Sequence, residues 1–191
     1  GQTDPGPEMS HHPASPSPPN APAAGSSAHH SAPDWWLMTK KFAKHGTAIA
    51  SFSPSSRWVA RSMCKGIDFD TAKCIVELGA GTGPITKELL ARVKLHTRLV
   101  VVEIDRDFCD RLRARFPAAD IVEGDAAKLP ELLAERGIEQ VDHVVSGLPL
   151  PSFPADLRGS ILASAARVLA PHGTFRQLTN MPYVYWKLYK K

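Results

Sequence analysis

The chain has 191 residues, with 23 Lys and Arg against 19 Asp and Glu, and a formal net charge of +4. This length predicts one domain rather than two, and no apolar run approaches the ~18 residues that a membrane-spanning helix needs. Three cysteines without a C-x-x-C spacing argue against a disulfide framework and a zinc site, so we expect reduced thiols, no metal and a cytoplasmic protein.

Residues 1–33 form a low-complexity segment that holds eight of the 17 prolines, two acidic residues and no Lys or Arg. Its single large apolar side chain is Met9, so it cannot bury enough surface to offset its chain entropy. It also lacks the basic start and apolar middle of a secretory signal. We therefore predict a disordered tail over 1–33 and one folded domain over 34–191.

The domain begins with two predicted helices. Residues 34–45 predict an amphipathic helix, and its aromatic and basic side chains include Trp35, Trp36, Lys40 and Lys41. The second helix starts at Ser53-Pro54 and extends to about Lys65, since Ser can cap a helix and Pro suits its first turn.

From residue 73 onward, strands of continuous apolar residues alternate with helices. The predicted strands are Cys74–Leu78, Leu99–Ile104, Ala119–Val122, Val141–Val145 and Thr174–Leu178. The predicted helices between them are Pro84 to about Lys94, Asp107–Phe116, Pro130–Glu135 and Ser160–Leu169. This alternation predicts an α/β fold whose mostly parallel sheet is covered by helices on both faces. Residues 183–191 predict the start of a further helix, which carries Trp186.

A glycine-rich turn separates the first strand from its helix. It reads Glu77-Leu78-Gly79-Ala80-Gly81-Thr82-Gly83, and such glycines let the backbone turn tightly and approach a ligand closely. The spacing differs from the G-x-G-x-x-G dinucleotide fingerprint, and the absence of G-K-[ST] excludes a phosphate-gripping P-loop.

Acidic residues follow the second and third strands. Glu103 or Asp105 is placed to accept hydrogen bonds from ribose hydroxyls, or both are strand-end carboxylates in solvent. Asp125, in Gly124-Asp125-Ala126, is placed to bond an adenine amino group, or it caps the helix that follows.

Together these motifs resemble the class I S-adenosylmethionine-dependent methyltransferases over about residues 47–180. The resemblance implies a Rossmann-like fold and S-adenosylmethionine as cofactor. The residues that it assigns to the cofactor site are Glu77, Gly79, Ala80, Gly81, Glu103, Ile104, Asp125, Ala126 and Ser146.

The loop after the fourth strand, Ser146-Gly147-Leu148-Pro149-Leu150-Pro151, narrows the resemblance. Amine-methylating enzymes that act on nucleic acids carry Asn or Asp and a base-stacking aromatic here. This chain has Ser146 and Leu150 instead. With Pro54-Ser55-Ser56-Arg57 and Gln177-Leu178-Thr179, the loop looks like that of bacterial phospholipid N-methyltransferases, which methylate phosphatidylethanolamine towards phosphatidylcholine.

That resemblance implies roles for further residues. Ser146 and Tyr183 are the candidate catalytic residues, and the candidate substrate-binding residues are Gly147, Leu148, Pro149 and Arg176. An acceptor in a bilayer implies a protein that lies peripherally on the inner face of the cell membrane. We also expect a monomer. Segments 34–45 and 183–191 would bind the membrane's anionic surface, through Trp35, Trp36, Lys40, Lys41 and Trp186.

Folds of this family usually have two strands after the fifth, so we expect these C-terminal strands to be missing here. Two alternatives to lipid methylation remain open at this point. One is an rRNA adenine N6-methyltransferase, although the loop without an aromatic makes nucleic acid a poor acceptor. The other is a non-catalytic membrane- or RNA-binding module with the same fold.

Overall fold

Five strands form a single parallel sheet in a computed structural model of the chain, which describes residues 1–2 and 54–178. The strands are β1 (Cys74–Leu78), β2 (Arg98–Glu103), β3 (Asp120–Glu123), β4 (Val141–Ser146) and β5 (Leu169–Gln177). Their order across the sheet is β3-β2-β1-β4-β5, and each pairs with its neighbours in parallel. β1 is buried along its whole length, as its continuous apolar sequence predicts.

Five α-helices accompany the sheet in the described part of the chain. They are α1 (Pro54–Met63), α2 (Pro84–Leu90), α3 (Arg106–Arg115), α4 (Leu129–Ala134) and α5 (Ala155–Val168). Two short 3-10 turns, Ala126–Lys128 and Leu150–Ser152, precede α4 and α5. Pro84 occupies the first position of α2, where its missing N–H costs no hydrogen bond.

The helices pack on both faces of the sheet, because alternate residues of a strand point to opposite sides. On one face α1, α2 and α3 cover Ile75, Leu99 and Val101. On the other face α4 and α5 cover Val76, Val100 and Val144. The predicted α/β fold with a parallel sheet and helices on both faces is therefore confirmed.

The two largest differences from the predicted boundaries are at the starts of β5 and α5. β5 begins at Leu169 rather than Thr174, because Leu169 already pairs with Val141 and the next pair is Thr174 with His143. The residues between form an irregularity in the ladder instead of ending it. α5 begins at Ala155, directly after a proline, rather than at Ser160. Asp156 in its first turn suits the positive end of the helix dipole.

Several predictions concern residues outside the described ranges. These are most of the tail 1–33, the helix 34–45, the segment 183–191 and any strands after β5. Within the described ranges, no helix is long and apolar enough to cross a membrane. No group of three metal-ligating side chains occurs there either. The thiols of Cys64, Cys74 and Cys109 are buried and free, and desolvation raises the pKa of each.

Asp142 in β4 ties down the start of β1. Its Oδ2 accepts hydrogen bonds from the backbone N–H groups of Lys73 at 2.7 Å and Cys74 at 3.0 Å. Burial alone would raise the pKa of this carboxyl, but the two backbone donors and nearby His172 hold it below its ordinary value of 3.8. The carboxylate therefore contributes stability above about pH 4, and that contribution is lost as the pH falls further.

We expect Asp142→Ala to lower the free energy of unfolding by about 1–3 kcal/mol, since it leaves two strand-end N–H groups without their acceptor. Urea denaturation measures this loss. Asp142→Asn is the matched control, because its amide oxygen can still accept and most of the stability should remain. Equal losses in the two variants would show that the hydrogen bonds are not what Asp142 contributes.

Candidate functional site

The glycine turn between β1 and α2 lies at the carboxyl end of the sheet, at the point where the strand order reverses. The backbone of Gly79 has a φ of +70°, and its N–H donates to the carbonyl of Val102 at 2.8 Å. A Cβ on Gly79 would lie 2.3 Å from Cδ2 of Leu148 in the loop after β4. A crevice beside such a reversal is where open α/β sheets bind their ligands.

Glu103, the last residue of β2, faces this turn and is 6% exposed. Its Oε2 accepts from the N–H of Gly81 at 2.9 Å, and its Oε1 accepts from those of Ile104 and Asp105 at 2.9 and 3.0 Å. Burial raises its pKa, and the three backbone donors oppose that rise. A carboxylate has about four acceptor positions, so Glu103 keeps capacity for a ligand hydroxyl.

The structure separates the roles of the other two acids. Asp105 caps α3 by accepting from the N–H groups of Asp107 and Phe108 at 2.9 and 3.2 Å, so Glu103 is the carboxylate of the turn. Asp125 caps the following 3-10 turn through Oδ1, 2.9 Å from the N–H of Ala127. Asp125 also lines the cleft, so its capping and ligand-binding assignments are compatible.

A narrow, partly open cleft lies against these residues. Its lining residues are Gly79, Val102, Glu103, Ile104, Gly124, Asp125, Ala126, Leu148, Phe153 and Ile161. Six of them were assigned to the cofactor or substrate from the sequence, so the fold brings these distant segments together. Phe153 and Ile161, which no sequence pattern indicated, form an apolar wall of the cleft.

Glu77 lies beneath the turn and is completely buried. Its Oε2 accepts from the hydroxyl of Thr86 at 2.7 Å, and its Oε1 has no hydrogen-bond partner among the described residues. Burial raises the pKa of Glu77 to about 8, the hydroxyl of Thr86 opposes that rise and the charge of Glu103 adds to it. A buried oxygen without a partner in the protein can be satisfied by a bound water or by a ligand.

The loop after β4 is held by its own neighbours. The hydroxyl of Ser146 is 3.4 Å from the N–H of Leu148, and the Ser146 side chain is fully buried. From β5, Nε2 of Gln177 donates to the carbonyls of Leu148 at 2.6 Å and Leu178 at 2.8 Å. A Cβ on Gly147 would lie 2.7 Å from the carbonyl oxygen of Gly79, so only glycine allows this approach. Ser146 therefore shapes the loop that borders the cleft.

Of the four predicted substrate residues, Leu148 lines the cleft, whereas Gly147, Pro149 and Arg176 do not. The guanidinium of Arg176 lies 3.1 Å from where a Cβ of Gly66 would stand, in the connection that leads from α1 into β1. Its position is explained by strand alternation, which turns Arg176 to the face that carries Val145. Tyr183 lies outside the described residues.

Residues 75–173, which hold the whole cleft, match the family described as "Methyltransferase domain". The chain is 50% identical over 161 residues to the ornithine lipid N-methyltransferase of Singulisphaera acidiphila, which covers 83% of this chain and 84% of that protein. The chain belongs to the S-adenosylmethionine-dependent methyltransferases. The class and the cofactor that the sequence implied are thereby confirmed.

Other relatives of this methyltransferase share shorter stretches or only the fold. The ribosomal RNA small subunit methyltransferase A of a Synechococcus strain is 40% identical over 91 residues, which cover 46% of this chain and 27% of that protein. TrmN from Thermus thermophilus has a TM-score of 0.54 at 18% identity, covering 69% of this chain and 40% of that one. The 1,6-didemethyltoxoflavin-N1-methyltransferase from Burkholderia thailandensis has a TM-score of 0.54 at 18% identity, covering 80% of this chain and 66% of that one.

The residues of the cleft fit S-adenosylmethionine. A ribose offers hydroxyls to an acceptor such as Glu103, which lines the cleft. Glu77 lies beneath the glycine turn and does not line the cleft, so its negative charge would act on a cationic ligand from below the turn. Positive charge on the ligand also favours ionisation of carboxyls whose pKa burial has raised. Asp125 and the apolar Phe153 and Ile161 suit a base with an exocyclic amine.

We expect Glu103→Ala to weaken S-adenosylmethionine binding by about 10- to 100-fold, since a hydrogen bond to a charged group contributes about 1.5–3 kcal/mol. Isothermal titration calorimetry measures the affinity. Glu123→Ala, at the exposed end of the neighbouring strand β3, is the control and should bind as the unchanged protein does. Unaltered affinity in Glu103→Ala would remove this residue from the cofactor site.

The raised pKa of Glu77 predicts a pH dependence of stability in the cofactor-free protein. Its stabilising contribution is complete below its ordinary pKa of 4.5 and is lost as the pH rises through about 8. The free energy of unfolding should therefore fall between about pH 5 and 9, by more than about 1 kcal/mol. Glu77→Gln should flatten this slope in urea titrations, whereas Glu123→Gln should leave it unchanged. Parallel slopes in all three proteins would contradict the assignment.

Proposed function

We propose that this methyltransferase transfers methyl groups to the aliphatic amine of a membrane lipid, with an ornithine lipid as the first candidate acceptor. The observation that carries the proposal is the 50% identity to an ornithine lipid N-methyltransferase over 83% of the chain. That match leaves fewer residues uncovered than precede α1, so it includes α1 as well as the whole cleft. It therefore extends beyond the cofactor-binding domain.

The loop after β4 supports an aliphatic acceptor over a flat base. Leu150, at the position of the stacking aromatic in nucleic-acid enzymes, is 3% exposed and packs in the core beneath the sheet. It offers no surface for a flipped base, which such enzymes hold by stacking. The aromatic nearest in sequence, Phe153, is 7% exposed and borders the cleft with Asp125. We assign Phe153 to the cofactor's side.

The protein's part in this reaction is to position and to exclude water. S-adenosylmethionine, when bound, supplies a methyl group on a sulfonium, which is already electrophilic. The acceptor nitrogen must be neutral and aligned, and holding reactants in that geometry supplies much of the rate. Gln177 and Ser146 keep the Leu148 loop in one conformation, and Leu148 gives the cleft an apolar rim. An apolar rim disfavours a charged ammonium and so favours the neutral amine.

Phosphatidylethanolamine is the second candidate acceptor. The Ser146–Pro149 loop and the Gln177-Leu178 pair resemble those of phospholipid N-methyltransferases, and both lipids present an aliphatic amine at a bilayer surface. We also propose that the protein works as a monomer on the inner face of the cell membrane. Segments 34–45 and 183–191 remain candidate anchors, and Tyr183 remains a candidate for orienting the amine.

Ribosomal RNA is the acceptor suggested by the relatives that match only a part of this chain. The Synechococcus match covers 46% of this chain and 27% of that protein, and a match to the Leptothrix cholodnii enzyme covers 59% of this chain and 38% of that protein. A stretch of 91 residues is about the size of the methyltransferase domain match, residues 75–173. The shared stretch is thus explained by a common cofactor-binding domain.

One assay decides among the acceptors. The full chain is incubated with S-adenosylmethionine labelled in its methyl group and with vesicles that carry ornithine lipid, vesicles that carry phosphatidylethanolamine, or unmodified ribosomal RNA. We expect label in the head-group amine of ornithine lipid, located by mass spectrometry, and none in RNA. Label mainly in phosphatidylethanolamine would replace the first candidate by the second. Label in RNA alone would refute lipid methylation.

A further inference from the structure

The outward face of α1 combines a tryptophan with basic side chains. Its exposed residues recur at helical spacing and continue into the turn after the helix; they are Arg57, Trp58, Arg61, Ser62 and Lys65. At 100° per residue they fall within one side of the helix. Ala60 and Met63, on the opposite side, are buried against the sheet. We call the exposed set, together with the adjacent Arg92, the α1 surface.

Positive charge dominates the α1 surface. The helix contains no acidic residue, and Arg92, just beyond α2, lines a shallow open recess with Trp58 and Lys65. The acid that reaches this surface is Glu88 of α2, whose carboxylate lies 3.5 Å from Nε of Arg61 and also pairs with Arg92. One carboxylate against four bases leaves a net positive surface that suits an anionic partner.

Trp58 is 74% exposed, which is unusual for the largest apolar side chain. It does not contribute to the core, and burying its indole elsewhere would be favourable. Indole rings are enriched at the interface between water and lipid, where the ring contacts acyl chains and the N–H stays near polar groups. An exposed tryptophan among Arg and Lys is typical of surfaces that lie on anionic bilayers.

The chain path indicates in which direction α1 runs along the sheet. α1 is followed by the connection that enters β1 from the amino end of the sheet, so α1 ends near that end and begins near the other. The pairing of Arg61 near the end of α1 with Glu88 near the end of α2 agrees with this direction. α2 begins directly after the glycine turn. The start of α1 therefore lies towards the end of the sheet that carries the cleft, whereas Lys65 and Arg92, which share a recess with Trp58, lie towards the other end.

We propose that the α1 surface docks this methyltransferase on an anionic phospholipid bilayer, with Trp58 inserted at the interface and Arg57, Arg61, Lys65 and Arg92 against lipid phosphates. The choice of a bilayer over RNA rests on the proposed lipid acceptor. Docking at this surface brings the cleft close to head groups without a membrane-spanning helix. This assignment concerns residues other than segments 34–45 and 183–191.

The test compares two matched double variants of the full chain. Trp58→Ala/Lys65→Glu removes one exposed apolar side chain and reverses one exposed base on the α1 surface. Leu162→Ala/Arg167→Glu makes the same kinds of change on α5, which covers the other face of the sheet. Binding is measured by co-sedimentation with phosphatidylcholine vesicles, with and without phosphatidylglycerol. These vesicles contain no acceptor amine, so binding is independent of the proposed reaction.

We expect the α1 variant to bind anionic vesicles at least about tenfold more weakly, since each base near such a surface contributes about 1 kcal/mol and reversal also adds repulsion. The α5 variant should bind as the unchanged protein does. Binding should also weaken as NaCl rises from about 0.1 to 0.5 M, because salt screens the attraction. Unchanged S-adenosylmethionine affinity confirms folding. A charge-only variant, Arg57→Glu/Lys65→Glu, repeats the test with Trp58 in place.

The proposal is overturned if the α1 and α5 variants bind anionic vesicles equally, or if the unchanged protein binds neutral and anionic vesicles equally. It is also overturned if the α1 variant loses binding to ribosomal RNA while it still binds vesicles. Methyl transfer to acceptor lipid in detergent micelles is measured separately. If the unchanged protein binds through α1 but methylates no lipid, the proposed function fails and the docking surface stands. If the unchanged protein methylates micellar lipid and the α1 and α5 variants bind vesicles equally, the docking surface fails and the proposed function stands.

Discussion

The burial of two carboxylates at the carboxyl ends of adjacent strands is the constraint on which the site depends. Ionised groups are costly to bury without hydrogen bonds or opposite charge. Glu103 offsets this cost with three backbone N–H donors, and one of them, Gly81, ties the glycine turn to the end of β2. Glu77 has the hydroxyl of Thr86 and one acceptor atom left over. Positive charge on a bound cofactor would favour the ionised form of both groups, so cofactor binding and the ionisation of these carboxyls would be coupled.

The packing of one loop on another carries that constraint to the acceptor side. The loops after β1 and β4 approach so closely that neither Gly79 nor Gly147 has room for a side chain. Leu148 touches the first loop, lines the cleft and is held by Gln177 from β5. The conformation that receives the cofactor and the rim that would meet the acceptor are therefore set by the same contacts. A change in one loop should be felt in the other.

The sequence predicted the parts of this arrangement that depend on local pattern. Continuous apolar runs identified the strands, and the parallel topology then placed Gly79, Glu103 and Asp125 at one edge of the sheet. Features that depend on tertiary contacts were missed. Which of Glu103 and Asp105 faces the turn follows from the cap of α3, and the place of Phe153 follows from the 3-10 turn before it. The direction of Arg176 required the register of β5 against β4.

The glycine turn serves the cofactor whatever the acceptor is, so the choice of acceptor resides in other parts of the chain. The match to an rRNA methyltransferase has about the length of the cofactor-binding domain, whereas the match to a lipid methyltransferase extends past it and includes α1. α1 contributes no residue to the cleft lining, yet the α1 surface presents four bases and an exposed indole. A bilayer presents its amines at a surface, so an enzyme selects them partly by where it rests. On this reasoning the outer face of a helix, remote from the reacting atoms, contributes to specificity by determining which amines come within reach.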